Sequence, residues 1–102
     1  MAIVDSFSEL SDTIKQDIKK GVDILKGGGC ESIYIFGSVA EGRVTDRSDI
    51  DFAVRGCPAS EFYNLQGKLL LELTRSADLV DLDSDDDLAS FLEREATLIH
   101  VG

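Results

Sequence analysis

Two aspartates, Asp49 and Asp51, are the residues of this sequence best placed to do chemistry. They lie two apart in a stretch, residues 49–54, whose polar and apolar residues alternate with the period of a β-strand, so both carboxylates project from one face. Two neighbouring carboxylates repel each other unless a cation lies between them. Mg²⁺ suits such a pair, because one or two carboxylates and substrate phosphate oxygens bind it. Two such ions would stabilise the attacking and leaving oxygens of an in-line displacement.

A second feature, Gly37 followed by Ser38, comes directly after a short β-branched and aromatic run at residues 32–36. A glycine lets the backbone approach a phosphate closely, and a serine hydroxyl can donate a hydrogen bond to a phosphate oxygen. If the residues that follow begin a helix, its free backbone amides add positive potential for the same anion. The pair therefore predicts a phosphate-binding turn before the two aspartates.

The spacing of these features resembles a known family. Gly-Ser, ten intervening residues and Asp-Ile-Asp resemble the signature of the DNA polymerase beta-like nucleotidyltransferase superfamily. The run from Ser48 to Phe52 and the short length resemble its minimal nucleotidyltransferase branch. The resemblance covers nearly the whole chain, with a helix, two strands, a helix and a third strand in order. It implies an enzyme that transfers a nucleoside monophosphate, with ATP as substrate and two Mg²⁺ ions as cofactor.

The resemblance also assigns roles to individual residues. Asp49 and Asp51 match the family's metal-binding catalytic pair, and a third carboxylate is expected on the next core strand, at residues 77–82. Asp78 fits the family's hydrophobic-Asp-hydrophobic-hydrophobic pattern, and Asp81 remains an alternative. These two lie three apart on a strand and face opposite ways, so only one can reach the site. The nucleotide-binding residues implied are Gly37, Ser38, Arg43 and Ser48.

One residue departs from the family pattern. In the family an arginine usually stands directly before the second glycine of the motif, which is Gly42 in this sequence. This chain has Glu41 at that position. An arginine at that position would contact the triphosphate, which a glutamate cannot do. Arg43 or Arg47 could substitute from nearby, although neither is in register.

The elements that must position these residues can be read from hydrophobic periodicity. Residues 6–26 carry apolar side chains at three- and four-residue steps, which predicts an amphipathic helix that three glycines end. Strands are predicted at residues 32–36, 49–54, 77–82 and 98–101, with helices beginning near Pro58 and near Asp85 to Asp87. The chain is expected to form one α+β domain over residues 1–102, a small mixed β-sheet with helices packed on one face.

Composition limits the partners. Twenty acidic and ten basic residues give a net charge of −10, which disfavours a long nucleic acid and favours a basic protein partner. The sequence contains no long apolar run and no signal-peptide pattern, so we expect a cytoplasmic protein without membrane contact. Cys30 and Cys57, which form no Cys-x-x-Cys pattern, are expected to be thiols.

The biological role follows from the resemblance. Larger members of the superfamily have a second domain that binds the acceptor, and this chain has no room for one. Many minimal nucleotidyltransferases are antitoxins that transfer AMP to a tyrosine of a small helical HEPN toxin, which implies such a partner here. Two alternatives remain open: an antitoxin that binds without catalysis, and an enzyme that modifies a small molecule such as an aminoglycoside as a homo-oligomer.

Overall fold

A computed structural model of the chain describes residues 12–40, 49–84, 87–95 and 97–102. Within these ranges no helix is both long and apolar enough to cross a bilayer. The helices are α1 (Asp12–Gly27), the single turn α2 (Gly37–Ala40), α3 (Phe62–Glu72) and α4 (Asp87–Glu95), with a 3₁₀ turn at Ala59–Glu61. The strands are β1 (Ser32–Phe36), β2 (Ile50–Arg55), β3 (Ala77–Asp81) and β4 (Ile99–His100).

The four strands form one mixed sheet in the order β3-β2-β1-β4. β1 runs antiparallel to both β2 and β4, whereas β2 and β3 are parallel and α3 lies between them in the chain. A parallel pair needs such a crossover helix. The predicted α+β fold with a small mixed sheet is confirmed.

The main core lies between one face of the sheet and the two longest helices. The apolar stripe of α1 is buried there, as its three- and four-residue spacing predicts, together with Leu65 and Leu69 of α3. A Cβ atom built on Gly21 would lie 2.5 Å from the Phe52 ring, so this glycine lets α1 approach β2 closely. Ala53, which follows Phe52 and faces the other side of the sheet, packs in a smaller cluster with Leu82 and with Leu92 of α4.

A buried carboxylate joins α1 to the segment that leads into β3. Asp17, 3% exposed, accepts hydrogen bonds from the backbone N–H of Thr74 (3.2 Å) and from its hydroxyl (2.6 Å). It also pairs with Nε of Arg75 at 3.3 Å. Because Thr74 and Arg75 lie three and two residues before the first residue of β3, this cluster ties the start of the strand to α1.

Cys30 and Cys57 form a disulfide, which overturns the expectation of two thiols. The spacing of the two cysteines does not predict this bond. The fold brings the turn after α1, which contains Cys30, against the segment after β2, which contains Cys57.

We expect Cys57→Ser to lower the stability of the oxidised protein by about 3 kcal/mol, the entropy of closing a loop of this length in the unfolded chain. The sequence separation of the two cysteines is 27. Thermal unfolding measures the loss, and addition of a reductant to the wild type should reproduce it. A wild-type melting temperature that is unchanged by reductant would contradict this expectation.

Candidate active site

Three side chains form a row across the sheet. Asp51 of β2 is in register with Phe36 of β1 on one side and with Asp78 of β3 on the other. Register partners lie on the same face of a sheet, on strands about 4.8 Å apart. The sheet therefore places the Asp51 and Asp78 carboxylates side by side. Phe36 packs at the edge of the smaller apolar cluster and adjoins them.

The pKa of Asp51 reflects its burial and the closeness of the other carboxylates. Burial, the charge of Asp78, a hydrogen bond with Asp78 and the charge of Asp49 together raise the pKa of Asp51 to about 6. The first cause is desolvation, and the others are like charges or a bond that the protonated Asp51 donates. Asp49, one residue before β2 and exposed, thus belongs to the same electrostatic cluster. A perturbed carboxyl of this kind is typical of functional sites.

Gly37 brings the backbone of the Gly-Ser turn against this cluster. Its φ is +74°, a conformation that L side chains rarely adopt, and a Cβ atom built on it would collide with Oδ2 of Asp51. Gly37 also begins α2, so the helical turn considered from sequence is present. The fold therefore places the Gly-Ser turn beside the carboxylates, as the candidate phosphate site requires.

We expect Gly37→Ala to reduce nucleotidyl transfer by about 100-fold or more, because the added methyl group displaces the Asp51 carboxylate and strains the turn. Initial rates at saturating ATP and magnesium measure the effect. Gly27→Ala is the matched control, since a Cβ atom there meets nothing within 4 Å. Equal losses in the two variants would contradict a specific role for Gly37.

The geometry distinguishes the two candidates for the third carboxylate. Asp78 is in register with Asp51. Asp81, the last residue of β3, instead accepts through Oδ1 a hydrogen bond from the backbone N–H of Asp83, in the turn that follows the strand, at 2.9 Å. Asp81 also lines a groove at the outer edge of β3. The register therefore favours Asp78 for the site and gives Asp81 a role in the turn.

Several residues of the candidate site lie outside the described residues. These are Glu41, Arg43, Arg47 and Ser48. For Ser38 the structure describes the backbone, as the second residue of α2, and not the side chain. Their nucleotide-binding roles remain predictions.

Asp51 and Asp78 offer the kind of oxygen ligand that a divalent cation prefers. Within the described ranges, no three His, Cys, Asp or Glu side chains are grouped as a ready metal site. The donor chemistry nevertheless fits, because Asp51 and Asp78 both offer hard oxygen ligands. After burial, the charge of Asp78 is the next cause that raises the pKa of Asp51. A cation between the two carboxylates would relieve their repulsion.

One residue that supports the site, Asp17, is not among the residues predicted from the sequence. Asp17 lies on the apolar stripe of α1, three residues after Ile14 and one before Ile18, where a charge is expected only if it is paired. That position on a buried helix face is the signal that identifies it. Its partners, Thr74 and Arg75, are distant in sequence and cannot be deduced.

Comparison with known proteins bears on the family of the chain. The family profile described as polymerase beta, nucleotidyltransferase, matches residues 16–100. No curated protein matches the sequence significantly.

Three solved structures resemble the fold. A crystal structure of a toxin–antitoxin with AMP-PNP shares 28% identity over 78% of this chain and 69% of that one, with a TM-score of 0.62. A mutant of the MntA–HpeT toxin–antitoxin shares 28% identity over 80% and 70%, with a TM-score of 0.61. The MntA–HepT toxin–antitoxin, at 24% identity over 82% and 69%, has a TM-score of 0.59 and bears on the fold alone.

The profile covers most of the chain, including the Gly-Ser turn and all three aspartates. The resemblance indicated by the Gly-Ser and Asp-Ile-Asp spacing is confirmed, and the chain belongs to the polymerase beta nucleotidyltransferase family.

Proposed function

We propose that this nucleotidyltransferase transfers AMP from ATP to a hydroxyl group, that of a tyrosine, on a helical HEPN-type toxin, and so acts as its antitoxin. The observation that carries the proposal is the convergence of Asp51, Asp78 and the charge of Asp49 against the Gly37 turn. The similarity to toxin–antitoxin structures, one of them with AMP-PNP, supports the kind of partner and the nucleotide.

In the proposed site Asp49, Asp51 and Asp78 hold Mg²⁺. When bound, the ions neutralise the triphosphate and the charge that develops on the leaving oxygen. Gly37 and Ser38 hold the β- and γ-phosphates through backbone amides and the serine hydroxyl. Catalysis then comes mainly from positioning and from electrostatic stabilisation.

The reaction balances as an in-line displacement. The acceptor oxygen forms a bond to the α-phosphorus, the bond between that phosphorus and the bridging oxygen breaks, and pyrophosphate leaves. Asp78, the more exposed member of the pair, accepts the proton of the acceptor hydroxyl or completes the metal site. The pKa of Asp51, about 6, keeps its carboxylate mostly ionised at neutral pH.

Label transfer tests the proposal. The purified chain is incubated with a candidate HEPN toxin, magnesium and ATP labelled either at the α- or at the γ-phosphate. We expect the toxin to acquire label from α-labelled ATP and none from γ-labelled ATP, because the γ-phosphate leaves with pyrophosphate.

Each alternative gives a different result. Neutralisation of the toxin without any label, in magnesium or manganese, would indicate an antitoxin that binds without catalysis. With an aminoglycoside added, label from α-labelled ATP in a new low-molecular-weight product distinct from ATP, ADP and AMP would indicate a small-molecule acceptor. The proposal places the reaction in the cytoplasm.

A further inference from the structure

A groove runs along the outer edge of β3, beside the candidate active site. It has a volume of about 360 Å³, and its apolar lining comes from Phe62 and Tyr63 of α3, Leu79 and Val80 of β3 and Leu88 of α4. Among the described strands β3 pairs only with β2, so this edge of the sheet is not covered by another strand. The volume falls in the range of sites that take a few apolar groups.

Apolar surface continues from the groove along α3. Tyr63 is 80% exposed and Leu71 is 87% exposed, and Leu70 lies seven residues after Tyr63 on the same side of the helix. Gly67 lies between them, and a Cβ atom built there meets nothing within 4 Å. Soluble monomers rarely expose a contiguous apolar patch without an interaction to explain it.

The charges around this surface specify its partner. Of the residues that the structure describes, those lining the groove include Asp81 and no lysine or arginine, and exposed Glu61 and Asp87 stand next to Phe62 and Leu88. A second copy of the chain, which carries a net charge of −10, would bring like charges together. A partner with apolar side chains between basic ones would match both the groove and its rim.

We propose that this groove, with the exposed face of α3, is a docking surface for a basic amphipathic helix of the partner protein. Val80, which lines the groove, is two residues after Asp78 on β3, so the groove begins about 7 Å along the strand from Asp78. This position suits an acceptor that brings its hydroxyl to the α-phosphate. The inference rests on the proposed function only for the identity of the partner.

Peptide binding tests the surface without requiring catalysis. The probe is a fluorescent helical peptide of about 18 residues with a leucine stripe flanked by lysines, long enough to be helical in water. Two control peptides replace its lysines by glutamates or its leucines by serines. Fluorescence anisotropy compares the wild type with the double variant Tyr63→Ser/Leu88→Ser, whose side chains are exposed and whose fold a thermal melt verifies.

We expect the basic peptide to bind the wild type and Asp51→Asn equally, and the double variant at least about tenfold more weakly. Lys68→Ser, five residues after Tyr63 and about 140° around α3 from it, should bind as the wild type does. Equal binding by the double variant, or equal binding of the glutamate or serine peptide, would overturn the proposal. Self-association of the wild type that the double variant abolishes would make a second copy the occupant and would also overturn it. If the wild type binds the basic peptide but transfers no label to the toxin, the result would count against the proposed function and leave the docking surface standing.

Discussion

Asp51→Asn is expected to lower nucleotidyl transfer by about 1,000-fold or more while leaving the fold intact. The amide has the size of the carboxylate but is a weak ligand for Mg²⁺ and carries no charge to hold a cation against the triphosphate. Initial rates of label transfer at saturating ATP measure the loss. Asp78→Asn should have an effect of the same kind, and Asp81→Asn should retain most activity, because Asp81 faces the turn after β3.

The same variant is expected to be more stable than the wild type at alkaline pH without magnesium. Burial and the neighbouring carboxylates raise the pKa of Asp51 from its ordinary value of 3.8 to about 6, so the folded protein binds the proton more tightly than the unfolded chain does. Stability from this group is therefore full below about pH 4 and is lost as the pH rises to about 6. At pH 8 we expect Asp51→Asn to gain on the order of 1 kcal/mol, since solvent screens this half-exposed group.

Thermal melts from pH 4 to pH 8 test this sign. The difference between Asp51→Asn and wild type should grow with pH, and added magnesium should stabilise the wild type more than the variant. Asp23→Asn, exposed on α1, is the control and should show neither effect. A variant with full activity, or one whose stability gain is largest at pH 4, would contradict the placement of Asp51 in the cluster.

Asp17→Ala is expected to have the largest effect on stability, a loss of about 3 to 5 kcal/mol. The substitution removes three hydrogen bonds and leaves the Arg75 guanidinium, which is mostly buried, without its carboxylate. Because Thr74 and Arg75 precede β3, the register of Asp78 beside Asp51 should loosen as well. Denaturant unfolding of the disulfide-bonded protein measures the loss.

A matched control separates this cluster from general effects of a lost charge on α1. Asp23→Ala removes an exposed carboxylate from the same helix and should change the free energy of unfolding by less than about 0.5 kcal/mol. The double variant Asp17→Ala/Arg75→Ala should be less destabilised than the sum of the single variants. Additive losses would show that the two side chains do not act as a pair.

Much of this arrangement could be predicted from local pattern. The β-branched and aromatic run predicts a strand over residues 32–36, and the structure has β1 with the same bounds. The alternation around Asp51 predicts that its carboxylate and that of Asp49 lie near each other. The charge of Asp49 is one of the causes, after burial and Asp78, that raise the pKa of Asp51. Such patterns succeed because side-chain direction in a strand depends only on the backbone period.

Contacts between distant segments could not be predicted in this way. The pairing of Asp17 with Thr74 and Arg75 and the bond between Cys30 and Cys57 join elements whose distance in the sequence is unrelated to their distance in space. The choice between Asp78 and Asp81 likewise needed the register of β3 against β2, which strand sequences alone do not fix.

The row formed by Phe36, Asp51 and Asp78 has a consequence for how such an enzyme could change its target. The spacing of the reacting groups is set by main-chain hydrogen bonds of three adjacent strands, while the rim that would receive an acceptor is built from side chains of two helices and of the outer edge of β3. Substitutions on that rim can alter which molecule is modified without disturbing the chemistry. Acceptor choice and nucleotide transfer can therefore evolve separately on the same small scaffold.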